Sequence, residues 1–197
     1  MSIPHKYGNH RLQTNFFLSS YRASLDCDYE IKLMREGNLG RFDWRVRWAG
    51  LCSLLNSSVY LMRHKDAKGC FPDSVKLALI EKWNEIGANR EAHPVYWEFI
   101  RKERNNILKE YEFAAYEAIL DPDGNPRPKP ILYMLSQGEM EALVIRGGRY
   151  HGQLALNVAS EGVQWIQSTV NTCLRNAGFE PDKEIAASEF VRLRDAA

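Results

Sequence analysis

The stretch RFDWRVRWAGLCSLLNSSVYLMRH, residues 41–64, decides the fold. Trp44, Trp48, Leu51, Leu55, Val59 and Met62 recur every three or four residues, which is the spacing of one helix face. Cys52 and Leu54 widen the stripe. A helix apolar over so broad an arc is packed on several sides, so Arg41–His64 belongs inside a bundle. The run from Lys65 to Gly69 closes it, with basic residues in the last turn and a glycine beyond.

Upstream, Leu12, Phe16, Phe17, Tyr21 and Leu25 keep a helical spacing, which predicts a helix from Leu12 to Glu36. Its later part, Cys27 to Met34, also fits a strand. Gly37-Asn38-Leu39-Gly40 breaks the segment, and residues 1–10 read as a loose lead-in. Downstream, Phe71-Pro72-Asp73-Ser74 opens a shorter helix carrying Val75, Leu79, Trp83 and Ile86, closed by Gly87-Ala88-Asn89. His93-Pro94 begins a long helix expected to reach about Leu120.

Asp121 to Pro130 holds four of the eight prolines and reads as a turn followed by an extended arm. The short apolar runs Ile131–Leu135 and Ala142–Ile145 are expected to pair as a hairpin around Ser136-Gln137-Gly138. Gln153 to Ala177 has the stripe of another core helix, stopped by Gly178 and Pro181. A short helix over Lys183–Leu193 finishes the chain. No repeat recurs at periods of 20 to 50 residues. The expected fold is all-α: one domain over 1–197, an up-and-down bundle of four to five helices, with 121–152 as a Pro-rich, extended or β-hairpin insert.

At 197 residues, with 45% hydrophobic and 26% charged residues, the chain can bury a full core without staples. No apolar run is long enough to span a bilayer, so no membrane association is expected. The start, Met1-Ser2-Ile3-Pro4-His5-Lys6, lacks the apolar core of a signal peptide. Cys27, Cys52, Cys70 and Cys173 are scattered without a CxxC pair, and read as free thiols of a cytoplasmic protein. The five histidines show no metal-ligand spacing, and neither a metal nor a cofactor is expected. The net charge of +1 argues against a general DNA-coating protein. Residues 1–70 carry 11 Lys and Arg against 6 Asp and Glu, a basic balance that suits either phosphate or a solvated surface.

The chemistry concentrates on the long helix that His93-Pro94 begins. Arg104-Asn105, Lys109 and Tyr111 form an R-N-x-x-x-K-x-Y run. At 100° per residue, Trp97, Ile100, Arg104, Leu108, Tyr111, Ala115 and Ala118 fall near one line. Arg104 is thus expected in the apolar stripe, where a guanidinium needs a partner or a cleft. Arg101, Asn105, Lys109 and Glu112 share the adjacent polar face, and Glu103 lies elsewhere on the circumference. The same residues also fit an ion-paired solvated face, with Tyr111 an ordinary core aromatic. Gly147-Gly148, between Arg146 and Arg149, offers either backbone N–H groups to an anion or a plain turn.

On this helix, in an all-α bundle, the run resembles the R-x4-H-x-Y signature of HEPN (higher-eukaryote and prokaryote nucleotide-binding) domains. The resemblance covers roughly residues 41–120. It implies a homodimer whose two motifs meet at a shared cleft, binding RNA or a nucleotide. By that resemblance Arg104, Lys109 and Tyr111 are the catalytic positions, Arg104 holding phosphate and Tyr111 packing beside it. Arg101 and Asn105 would bind substrate. Lys109 stands where the family has histidine, and a lysine ammonium keeps its proton at neutral pH. The implied function is phosphate binding with weak or absent catalysis. A non-enzymatic interaction module and a metal-independent endoribonuclease using Lys109 are the two other readings.

Overall fold

The computed structural model describes residues 11–37, 43–69, 71–121, 123, 125–128 and 140–189. The long helices are α1 (Ser19–Glu36), α2 (Asp43–His64), α3 (Asp73–Ala88), α4 (Arg101–Glu110) and α5 (Ala155–Asn176), with a π-helical segment, Val95–Ile100, leading directly into α4. Three-residue strands β1 (Arg11–Gln13) and β5 (Glu184–Ala186) pair antiparallel and tie the two ends of the described chain together. Strands β2 (Ala115–Leu120), β3 (Pro126–Pro128) and β4 (Met140–Ile145) form an antiparallel sheet in the order β3-β2-β4. The protein is thus mainly helical with a small antiparallel insert, as the patterning predicts.

The bundle forms around the stripe of α2. Trp48, Cys52 and Leu55 are fully buried there, and α1 packs along α2 and also against α5. An aliphatic side chain such as Leu55 contributes about 1.5–3 kcal/mol by leaving water. Gly162 in α5 is a point of close approach, because a Cβ there would lie 3.2 Å from Ile100 Cδ1. α1 is capped from a distance: Asp66, fully buried after α2, accepts from the Ser19 and Ser20 backbone N–H groups at 3.0 and 2.9 Å and from Ser20 Oγ at 2.6 Å. Those N–H groups have no partner within the helix, so a carboxylate there satisfies them and favours the helix dipole. Cys27, Cys52 and Cys173 are free and buried, and burial pushes all three thiols up, Cys27 and Cys173 to about 12. Among the described residues no helix is long and apolar enough to cross a membrane.

The helix expected from Leu12 begins only at Ser19, because Arg11–Gln13 is a strand paired with Glu184–Ala186 and Thr14–Phe17 is a 3-10 turn. Three further expectations are corrected. The helix from His93-Pro94 ends at Glu110, not near Leu120, and Ala115–Leu120 is the central strand of the sheet. Tyr111 adopts the left-handed conformation (φ 55°), and Glu112 N–H reaches back to Asn106 O at 3.3 Å, closing the helix without a glycine. Second, Met140–Ile145 is a strand, but it pairs with Ala115–Leu120; Ile131–Leu135 lies outside the described residues. Third, Glu184–Ala186 is a strand where a helix from Lys183 was expected, and only residues 187–189 of that stretch are helical among those described. Pairing with β1 overrides the local preference there.

Candidate functional site

The π-helical segment shifts the register in which the chain enters α4. A π turn takes about 4.4 residues, so six of them lag an α-helix by about one residue. The buried line becomes Val95, Phe99, Glu103 and Ile107, with Tyr96 and Ile100 beside it. The expected line is displaced: Arg104 is half-buried, while Leu108 and Tyr111 are exposed at 55% and 74%.

Glu103 takes the place expected of Arg104. It is 2% exposed. Its Oε1 accepts from Trp48 Nε1 at 2.8 Å and from Ala114 N at 3.1 Å, and Ala115 N lies at 3.4 Å. These bonds also explain why the helix stops. The carboxylate captures the N–H groups of Ala114 and Ala115 and delivers the chain into β2. Burial pushes the Glu103 pKa above the usual carboxylate value, and the bonds from Trp48, Ala114 and Ala115 pull against it. Its flanking cations, Lys102 and Arg104, make Glu103 look like a surface residue. The signal that finds it is the four-residue spacing Val95–Phe99–Glu103–Ile107.

The motif residues are not drawn into one cluster. Arg104 Nη1 donates to the neighbouring Asn105 Oδ1 at 3.0 Å. Lys109 is exposed in the last turn of α4. Among the described residues the Tyr111 ring meets only the edge of Phe113, with ring centres 5.4 Å apart. Among the described residues no hydrogen bond or ring contact joins Arg104, Lys109 and Tyr111. Arg101 is exposed and lies 4.9 Å from the centre of the Trp97 ring.

The opening with chemical potential lies on the next strip of α4. A cleft of about 230 Å³ is bounded by Glu98, Lys102 and Asn106 on the helix and by Arg146-Gly147-Gly148-Arg149 between β4 and α5. Glu103 and Tyr150 also line it. Gly147 and Gly148 both have positive φ, 77° and 68°, a conformation that favours glycine and turns the loop sharply. The loop is pinned: Arg146 N donates to Ala114 O at 2.7 Å and Gly147 N to His151 Nδ1 at 2.9 Å. A Cβ on Gly148 would sit 3.9 Å from Lys102 Nζ, so the loop stands directly against that ammonium group.

Lys102, Arg146 and Arg149 are exposed, and none of them forms an ion pair among the described residues. Arg146 lies over the Tyr116 ring, 5.0 Å from its centre. At the wall, Tyr150 is 5% exposed, packs edge-on against Phe99 and donates from its hydroxyl to Glu161 Oε1 at 3.3 Å. Burial, then the Glu161 charge, pushes the phenol up to about 12, so it stays protonated. Three unpaired cations around a cleft of this size suit one compact anion. The described residues hold no group of three His, Cys, Asp or Glu placed to bind a metal.

Compared with models of protein families, with curated proteins and with solved structures, the chain matches none.

Proposed function

We propose that this protein binds the phosphate of an RNA or a nucleotide in the cleft between α4 and the Arg146–Tyr150 loop. The observation that carries the reading is the convergence of Lys102, Arg146 and Arg149 on a two-glycine turn. Guanidinium groups donate two hydrogen bonds to phosphate in a planar fork, and Lys102 adds a point charge. The phosphate site thereby moves to nearly the opposite side of α4 from Arg104, because Lys102 and Arg104, two positions apart, lie about 200° apart around the helix. Lys109 is seven residues beyond Lys102, so it lies on the same strip and extends it past Asn106.

In this reading the HEPN-like run has a second role. Arg104, Leu108 and Tyr111 form an outward strip, and the exposure of Leu108 and Tyr111 supports contact with a second copy of the chain. Catalysis is weak or absent, because no histidine stands in the run. The test is titration of labelled RNA at several salt concentrations. Lys102→Ala and Arg149→Ala should each weaken binding by several-fold and flatten the salt dependence by about 0.7 per lost phosphate contact. Unchanged affinity in both variants refutes the cleft. A monomer in sedimentation at micromolar concentration refutes the dimer.

A further inference from the structure

Beside the cleft, three arginines from three elements lie over half-buried aromatic rings: Arg101 on α4, Arg90 in the short turn before His93, and Arg63 in the last turn of α2. Arg90 and Arg101 lie 4.4 and 4.9 Å from the centre of the Trp97 ring. Arg63 lies 5.0 Å from the centre of the Trp83 ring. Tyr96 joins the two indoles, with ring centres 5.6 Å from Trp83 and 4.9 Å from Trp97, and stacks on Trp165 at an interplanar angle of 10°. The rings are held rigidly: Trp97 Nε1 donates to Ile86 O at 3.2 Å, and Trp165 Nε1 donates to His93 Nδ1 at 3.1 Å.

All three arginines are exposed, and none of their guanidinium groups makes a hydrogen bond or ion pair among the described residues. Arg90 and Arg101 share one ring, which puts their guanidinium groups within a Debye length, about 10 Å, where like charges repel. The nearby carboxylate of Glu85 does not relieve this, because it is bonded to Lys82 and to His93. Glu91 and Glu98 flank the group, exposed and without ion pairs to it. A set of unpaired guanidinium groups spread over a fixed aromatic base offers flat faces to unpaired bases and edges to phosphates.

We propose that Arg63, Arg90 and Arg101, laid over Trp83 and Trp97, carry a single-stranded RNA onward from the cleft. The inference rests on the cleft reading and names its ligand as a polynucleotide strand, not a free nucleotide. Continuity comes from the helix: Trp97 and Arg101 form the strip beside Glu98 and Lys102, so a strand with one phosphate at Lys102 passes over Arg101 within one nucleotide. The cleft admits one phosphoryl group with its sugar, and the rest of the strand lies outside it, on the arginines. A duplex hides the base faces that such a surface uses.

The experiment compares uridine 5′-monophosphate with a labelled oligouridine of about ten nucleotides, a length within the usual single-strand site size. Arg90→Ala/Arg101→Ala should weaken the oligonucleotide about tenfold and lower its salt slope by about 1.4, for two lost phosphate contacts, while leaving the monophosphate unchanged. Lys102→Ala/Arg149→Ala should weaken both ligands. If the arginine pair binds the oligonucleotide like wild type, the strand path is overturned and the cleft stands. Wild-type protein that binds the oligonucleotide no tighter than the monophosphate also overturns the path. If the cleft pair loses neither ligand, the cleft reading fails separately. Arg90→Lys/Arg101→Lys guards against misfolding: it keeps charge without the flat face, so oligonucleotide affinity should fall with the salt slope kept. Full affinity in that variant counts against the path, as does equal binding of duplex RNA or displacement by polyglutamate at equal charge.

Discussion

Trp48 and Glu103 meet in the middle of the bundle, the indole N–H donating to the carboxylate across 2.8 Å with both residues almost wholly removed from water. One bond joins the centre of α2 to α4, and the same carboxylate turns the chain from helix to strand. Glu103→Ala leaves an indole and two backbone N–H groups without acceptors and should cost about 2–4 kcal/mol in chemical denaturation. Glu103→Gln keeps an acceptor oxygen and should cost less than the alanine variant.

The sign of the pH effect follows from the raised pKa of Glu103. The folded carboxyl holds its proton more tightly than the unfolded one at 4.5. Its contribution is fully present below that unfolded value and is lost as pH rises through the folded value. Urea midpoints taken from pH 4 upward should therefore fall more steeply with pH in the wild type than in Glu103→Gln. Parallel profiles would remove the assignment.

Asp66 is the second buried carboxylate with a structural task, at the start of α1. Asp66→Ala leaves two helix N–H groups and the Ser20 hydroxyl unsatisfied and should lower stability by about 2–4 kcal/mol. Hydrogen exchange should rise first at Ser19 and Ser20. Uniformly faster exchange throughout the chain would speak against a local cap.

The His93 tautomer is fixed by its neighbours. An indole nitrogen only donates, so the bond from Trp165 requires a bare Nδ1, and the ring proton sits on Nε2 facing Glu85 at 3.0 Å. Nitrogen chemical shifts at neutral pH should report the Nε2–H form. Trp165→Phe should release that preference.

Tyr111 holds a left-handed conformation that costs an L-residue about 1–2 kcal/mol and that glycine adopts freely. With its side chain 74% exposed, Tyr111→Gly should stabilise the chain by about 1 kcal/mol in thermal melts. If Tyr111 also contacts a second copy, the same variant should shift sedimentation toward monomer.

Catalysis has its own readout. RNA incubated with the protein in excess EDTA should stay intact, and Lys109→Ala should change nothing. Cleavage abolished by that substitution would favour the endoribonuclease reading.

The bundle was legible because its signals are periodic and strong. The stripe from Trp44 to Met62 and the Gly178 stop, which has φ 84°, need no tertiary information. The Gly147-Gly148 turn was also visible as an anion-binding option beside a plain turn. What sequence could not show was its neighbour. Lys102 and Gly148 are 46 positions apart, and no spacing rule connects them. The end of α4 was hidden for the same reason: Ala114 and Ala115 leave the helix because a remote-looking glutamate accepts their N–H groups. The π turn is hidden in a different way, since Val95–Ile100 carries no residue that forbids an α-helix.

That wide turn sets the phase of everything after it. Residues 101–110 can present two different surfaces, and one residue upstream selects between them. Removing a single position between Val95 and Ile100 would rotate α4 by about 100°. A guanidinium would then enter the core in place of the carboxylate, and Lys102 would swing away from the glycine loop. The register of the upstream helix thus determines the recognition chemistry as firmly as the cationic side chains themselves.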